Sequence, residues 1–215
     1  LVVDPPAAWQ SCDEALLGLR EFEFRSEHAF MCFPRIQAFD RLRGRAETFA
    51  NCGAVAGTLA RLDTQRSPWQ PGDDDELLLR QSARPQFALT EAERARRAAH
   101  GLNPLQSLRS ASPRAVALKT LAGGAAATAA GRLLTAQRRN LLLMASIERG
   151  TRWAVFERSE RPVWQRLARQ VQSFLQPLTA TGLFGPPDEA GAFEVVCDER
   201  VNGAEDVAAG RINLL

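Results

Sequence analysis

The sequence is poor in the residue types on which catalytic and metal sites depend. Among 215 residues there is no tyrosine, and histidine occurs only at His28 and His100. The four cysteines lie far apart without a C-x-x-C pair, so no set of Cys and His has the spacing of a tetrahedral zinc site. We therefore expect no metal site, and we expect the cysteines to be small apolar thiols in a reducing compartment.

Neither a dominant charge nor a long apolar run is present. The 27 basic residues oppose 25 acidic ones, which gives no general attraction to nucleic acid or to an anionic membrane. No stretch approaches the ~18 apolar residues of a membrane span, and no signal peptide is visible. We expect no nucleic-acid partner and no membrane insertion. Because the first residue is Leu1 and not Met, we expect the sequence to be a piece of a longer chain.

The common catalytic and nucleotide-binding motifs are also missing. The segment 53–57 (GAVAG) lacks the Lys of a P-loop, and no G-x-S-x-G occurs. The acidic run at 73–76 lacks the pattern of a calcium loop, which favours a solvated loop. We expect no catalytic, metal or cofactor-binding residues and no cofactor. A paired-carboxylate site that uses Glu148, Glu157 or Asp198 beside Glu199 stays open, and a small cytoplasmic α/β enzyme is the alternative from another class.

Residues 138–199 carry the clearest pattern of secondary structure. Leu141, Leu142, Ala145 and Ile147 have the spacing of one buried helix stripe, and Gly150 is expected to end that helix. A short strand and a longer helix capped by Ser159 are predicted to follow. The strand would contain Trp153, Val155 and Phe156, and the buried stripe of the longer helix would contain Trp164, Leu167, Val171, Phe174, Leu175 and Leu178. Gly182 is a candidate helix cap, and Phe193, Val195 and Val196 predict a second strand.

The preceding residues alternate between short strands and helices. We predict a strand before Asp4, a helix capped by Ser11 or Asp13, a strand over 30–39 interrupted by Pro34, and a helix over 53–62 whose small residues pack tightly against a neighbour. A helix over 90–100 and strands over 105–109 and 115–121 follow. Helix propensity alone predicts one helix from Ala125 to Glu148. The fold class is α/β: a mixed sheet flanked by helices, with residues 138–150 and 161–182 packed on it.

These residues also resemble a known family in collinear order. Shorter matches lie at 4–6 (DPP), 26–36 (SEHAFMCFPRI), 53–57, Pro68-Trp69 and Leu102-Asn103. The longest match contains Arg138, Arg139, Ser146, Ile147, Glu148, Gly150, Thr151, Trp153, Val155, Phe156, Glu157, Trp164, Val171, Phe174, Leu175, Gly182, Gly185, Phe193, Val195, Cys197 and Asp198, and it continues through Asn202 to 209–211. The ordered set resembles the C-terminal domain of contractile tail sheath proteins, which form the contracting sleeve of phage tails, tailocins and related injection particles.

The resemblance implies one sheath-type domain over 1–215 and a structural function. In place of one helix from Ala125 to Glu148, it implies a surface loop over 123–132, a brief strand near Leu133 to Thr135 and a helix that begins near Gln137. A sheath subunit would assemble as stacked hexameric rings around an inner tube and contract to drive the tube through a target envelope. Its partners would be neighbouring copies, the inner tube protein, and baseplate and terminator proteins. It would lie in a virion tail or injection particle that is assembled in the bacterial cytoplasm. A sheath-like collar or baseplate component is the alternative within this class.

The resemblance also implies functional residues near the end of the sequence. In sheath proteins this part leads into an extension that pairs with a neighbouring subunit. The candidate linker and exchange strand is 203–215, with Arg211, Ile212, Asn213, Leu214 and Leu215 as the donated strand. Asn202, Gly203 and Gly210 are the expected hinge. Two departures stand out: residues 31–35 (MCFPR) have fewer aromatic residues than the family segment, and residues 67–71 retain only a Pro-Trp form of the family loop.

Overall fold

The computed structural model of the protein describes residues 1–65, 67–68, 78–79, 83–90, 92–93, 96, 100–107, 118–122, 133–184 and 193–215. These residues form two compact units, Leu1–Arg138 and Arg139–Leu215. The sequence predictions for the acidic run at 73–76 and for residues 108–117 and 123–132 lie outside the described residues.

The described residues of the first unit form three small sheets. β1 (Val2–Val3), β2 (Phe30–Phe33) and β7 (Asn103–Pro104) are parallel, in the order β1-β2-β7. β3 (Ile36–Asp40), β4 (Arg45–Phe49) and β6 (Ala83–Pro85) are antiparallel, in the order β4-β3-β6. β5 (Leu78–Leu79) pairs in parallel with β8 (Gln106–Ser107). The single strand predicted over 30–39 is divided after Phe33 because Pro34 has no N–H to donate to a ladder.

β2 lies at the centre of the first unit's core. All four of its residues are buried, as expected for a central parallel strand covered on both faces. Phe30 and Cys32 belong to one apolar cluster, and Met31 and Phe33 belong to another. The two faces of one short strand therefore connect the two halves of this core.

Two helices of the first unit have their full range within the described residues, and each was expected at its position. α1 (Cys12–Glu21) begins at Ser11, whose hydroxyl accepts a hydrogen bond from the Glu14 N–H while the Glu14 carboxylate accepts one from the Ser11 N–H. α2 (Cys52–Asp63) follows Asn51. The expectation of tight packing at the α2 glycines is wrong, because a methyl group added at Gly53 or Gly57 would meet no atom within 4 Å.

The longest helices are α3 (Leu134–Thr151) and α4 (Arg161–Thr179), and the short helix α5 (Ala204–Ala208) follows them. α3 continues through Gly150, so the predicted stop there is wrong. The predicted strand at 153–156 is also wrong, because Arg152–Phe156 form a 3₁₀ helix. The Gln170 side chain explains this geometry: its amide accepts from the Trp153 indole N–H at 2.8 Å and donates to the Gly150 C=O at 2.8 Å.

The predicted apolar stripes have different outcomes. On α4, Trp164, Leu167, Val171 and Leu175 are buried as expected, although Phe174 is exposed. On α3, Leu141 and Leu142 are 50% and 41% exposed, so the predicted buried stripe is wrong. α4 begins after Glu160, and Ser159 does not cap it but hydrogen bonds elsewhere.

The mixed α/β fold class is confirmed, with its strands distributed over small sheets. In the second unit, the described core around α4 contains Trp164, Leu167 and Cys197, against which Ile212 and Leu214 pack. Phe193, Val195 and Val196, predicted as a strand, form an extended segment that does not belong to any sheet among the described residues.

Candidate assembly segment

The last residues of the sequence form an extended segment, Arg211 to Leu215, which we call the terminal segment. It follows α5 and Gly210, whose φ of +68° lies in the left-handed region that glycine tolerates best. The Asp206 carboxylate accepts hydrogen bonds from the Gly203 N–H and from the Arg211 side chain. These contacts fix both ends of α5, so the terminal segment leaves this helix in a defined direction.

Alternate residues of the terminal segment are hydrogen bonded within the chain. Val196 and Leu215 exchange two backbone hydrogen bonds, Val196 N–H to Leu215 C=O at 2.7 Å and Leu215 N–H to Val196 C=O at 2.9 Å. The buried Asn202 side chain accepts from the Asn213 N–H at 2.6 Å and donates to the Asn213 C=O at 2.9 Å. The Ser159 hydroxyl donates to the Arg211 C=O at 2.9 Å. One edge of the segment is therefore satisfied by its own chain.

The opposite edge is unpaired within the described part of the chain. The N–H and C=O groups of Ile212 and Leu214 form no hydrogen bond with a described residue. Backbone groups of successive residues in an extended chain point to opposite edges, so these four groups share the edge that faces away from Asn202 and Val196. An unpaired edge of this kind is a template for another strand.

The side chains of Ile212 and Leu214 hold the segment against its own unit. Both are half-buried and pack on the cluster of Trp164, Leu167 and Cys197. Ser159 reinforces this contact because its hydroxyl also accepts a hydrogen bond from the Trp164 indole N–H at 3.1 Å. Ser159, Trp164 and Arg211 thus form a chain of hydrogen bonds from α4 to the terminal segment.

Two carboxylates near the terminal segment have altered acidity. The hydrogen bond from Arg211 is the main cause that lowers the pKa of Asp206, and the side chain of Asn213 and the Gly203 N–H lower it further. Hydrogen bonding to Arg200 lowers the pKa of Asp198. Both shifts favour the ionised carboxylate, which pairs with Arg211 at Asp206 and with Arg200 at Asp198.

The thiols offer little nucleophilic character. Cys12, Cys32 and Cys197 are buried and form no disulfide bond, and burial is the main cause that raises the pKa of Cys32 and of Cys197. Across the described ranges, no group of three or more His, Cys, Asp or Glu side chains could hold a metal ion. Within those same ranges, no helix has the length and apolar character needed to cross a membrane.

The predicted site residues lie close together in the structure, and their roles in strand exchange and as a hinge stay predictions. Arg211, Ile212, Asn213, Leu214 and Leu215 lie on their own chain, and exchange between subunits stays a prediction. Of the predicted hinge, Gly203 precedes α5 and Gly210 follows it, whereas Asn202 is buried and hydrogen bonded. Sequence reasoning missed the contacts of Ser159 and the use of Asn202 as an anchor. The pair Asn202 and Asn213 could have indicated this anchor, because an amide side chain can hydrogen bond to a backbone N–H and C=O in place of a neighbouring strand.

Comparisons with solved structures find the same architecture in contractile particles. A chain from the contracted sheath complex of PVC, an extracellular contractile injection system, matches 100% of this chain with a TM-score of 0.78 and 19% identity. A chain from the six-fold symmetrised baseplate of the anti-feeding prophage (AFP) matches 89% of it with a TM-score of 0.70 and 14% identity. This chain has the fold of contractile-particle components. It spans 58% and 50% of the length of those two chains.

Comparisons of sequence add no further relative. No family model matches the chain. No curated protein matches it either. The similarity to the sheath and baseplate chains is therefore a similarity of fold.

Proposed function

We propose that this chain is a structural subunit of a contractile sheath, and that residues 1–215 act as one sheath-type domain. The similarity to the PVC sheath-complex chain supports this proposal because it extends over both compact units of the chain. Subunits would stack as hexameric rings around an inner tube, and rearrangement of their contacts would drive the tube forward. The free energy would come from a metastable extended state and would need no bound nucleotide.

The unpaired edge of the terminal segment is the observation that carries the proposal. Subunits in a contracting sleeve must stay linked while they rotate. Strand pairing can maintain such a link, because main-chain hydrogen bonds persist while a neighbouring hinge bends. The terminal segment would take part through the outward groups of Ile212 and Leu214, or would leave its own chain by a hinge at Asn202, Gly203 and Gly210.

Two variants test this link by electron microscopy of the assembled protein. Deletion of residues 211–215 removes the whole segment, and we expect tubes and stacked rings to be lost. Leu214→Pro removes one outward N–H and leaves the inward groups of Asn213 and Leu215 in place, because proline cannot donate. Leu214→Pro also removes an apolar side chain from the cluster of Trp164, Leu167 and Cys197, so Leu214→Ala, which keeps the N–H, is the matched control. We expect the proline variant to weaken assembly more than the alanine variant. Uniform tubes from both the deletion and the proline variant would overturn the proposed link.

The similarity to the AFP baseplate chain favours a collar or baseplate component as the second candidate. Such a subunit would join one ring and would not continue into a tube. Negative-stain images of the protein with the inner tube protein separate the two candidates, since a sheath subunit forms a sleeve of many rings and a baseplate subunit stops at one.

A further inference from the structure

A small cleft in the first unit shares no residue with the terminal segment and has no role in the proposed assembly. It is lined by Leu16, Leu19, Arg20, Arg25, His100, Thr120, Leu121 and Ala122 and has a volume of about 200 Å³. Pockets for drug-sized ligands measure roughly 300–1,000 Å³. The cleft therefore suits a group of about one amino-acid side chain.

Among the described residues that line the cleft, the ionisable side chains are Arg20, Arg25 and His100, and none is a carboxylate. The Arg25 guanidinium donates to the carbonyls of Leu19, Phe22 and Phe24, so its described partners are backbone dipoles at and just after the end of α1. Arg20 forms no hydrogen bond or ion pair with a described residue. Within the described residues, no carboxylate opposes the positive charge of the cleft, which favours an anion.

Apart from Thr120, the remaining described residues that line the cleft are apolar, and other contacts fix their positions. Leu16, Leu19 and Leu121 are otherwise buried, and Leu121 is fixed by backbone hydrogen bonds to Ala29 and Ser26. The turn after His100 approaches this wall closely, because a Cβ on Gly101 would lie 3.3 Å from the Thr120 carbonyl oxygen. These apolar atoms would gain from contact with an aliphatic group of the ligand.

We propose that this cleft binds a carboxylate that carries an aliphatic group of about the size of a leucine side chain. Arg20 would donate to the carboxylate as a planar fork, and the leucines would cover the aliphatic part. His100 would border the anion from the opposite element. The same chemistry occurs in the C-terminal residue of a partner chain and in a free branched fatty acid.

Titration of the full chain with small probes tests the site, with leucine methyl NMR signals as the readout. N-acetyl-leucine represents a C-terminal residue, and 4-methylpentanoate represents the free acid. We expect both to shift the methyl signals of Leu16, Leu19 and Leu121. Tighter binding of N-acetyl-leucine assigns the cleft to a peptide terminus, and tighter binding of 4-methylpentanoate assigns it to a free acid.

The decisive controls change charge without changing shape. N-acetyl-leucinamide lacks the carboxylate, and Arg20→Gln removes the unpaired cation, so each should weaken binding roughly tenfold through loss of a charge-assisted hydrogen bond. Arg41→Gln changes the net charge equally at an exposed hairpin residue and should leave affinity unchanged. Equal binding of acid and amide, unchanged affinity in Arg20→Gln, or an absence of shifts at the three leucines would overturn the proposal.

Discussion

The first and last extended segments of the chain are fixed in different ways. β1 near the start joins a sheet through backbone pairing with Phe30 and Met31, and Phe30 N–H also donates to the Leu1 C=O. The terminal segment depends on side chains as well as on backbone pairing. Asn202, Ser159 and Asp206 supply side-chain partners, and the backbone groups of Val196 and Asp206 supply three further hydrogen bonds.

This difference bears on which segment can be released. A backbone ladder uses groups that every sequence carries, so single substitutions change it little. A segment fixed by side chains depends on a few identities, and each contact can be lost separately. The terminal segment is therefore the one whose attachment can be adjusted by sequence, which is what a link that must rearrange requires.

The largest effect is expected from Asn202→Ala. The substitution leaves the N–H and C=O of Asn213 without their partner and removes a bond to the Asp198 C=O. We expect a loss of about 2–3 kcal/mol in local stability of the terminal segment. Hydrogen exchange should show this loss at Asn213 and Leu215 and no change at Phe30 and Met31.

Asn202→Asp provides the matched control for that change. The carboxylate can still accept from the Asn213 N–H but cannot donate to the Asn213 C=O. Because position 202 is buried, an ionised carboxylate would face the C=O groups of Asn213 and Asp198 without a donor, so protection should fall at least as far as in Asn202→Ala. If the alanine variant retains full protection at Asn213, Asn202 does not anchor the segment.

Asp4→Ala tests the other segment in this comparison, β1, which is held by backbone pairing. The Asp4 carboxylate follows β1 and accepts hydrogen bonds at 2.8 Å from the N–H groups of Asn51 and Cys52, so it caps α2 from a distant part of the sequence. Its loss should cost about 1 kcal/mol in chemical denaturation, a usual value for a helix cap. Asp4→Asn keeps an acceptor and should cost less. Because the backbone ladder remains, β1 amides should stay protected in both variants, and their exposure would contradict this account.

The sequence predicts the helices of the second unit better than their surroundings. The spacing of Trp164, Leu167, Val171 and Leu175 is sufficient to predict a buried stripe, because no other face of α4 is apolar over the same length. The same reasoning fails on α3, where Leu141 and Leu142 are exposed. Periodicity identifies an apolar face but does not say whether a partner covers it.

Local sequence pattern also fails to predict structure where a distant side chain determines the backbone conformation. Trp153, Val155 and Phe156 have the composition of a strand, yet the Gln170 amide holds this stretch in a 3₁₀ helix. Asn51 at the cap position makes no cap hydrogen bond through its own side chain, and the Asp4 carboxylate caps α2 instead. For the candidate site, the extended segment after Gly210 was predictable, but its anchors were not, because they join residues that no local pattern relates.

The smallest expected effect is a pH dependence confined to the terminal segment. Hydrogen bonding with Arg211 lowers the pKa of Asp206 below the ordinary 3.8 of an aspartate. Because the pKa of Asp206 is lower in the folded state than in the unfolded state, its contact with Arg211 stabilises the folded segment fully at pH values above the unfolded-state pKa. This stabilisation is lost as the pH falls through the folded-state pKa. Hydrogen exchange at Arg211 and Asn213, compared between about pH 6 and about pH 3 after correction for intrinsic rates, should therefore show reduced protection at the lower pH. Asp206→Asn removes the titrating group, so it should abolish the part of the difference in protection that Asp206 causes. Any part caused by Asp198 should remain. An unchanged difference in Asp206→Asn would exclude this carboxylate as the cause, and an equal loss at Phe30 and Met31 would show that acid acts on both segments alike.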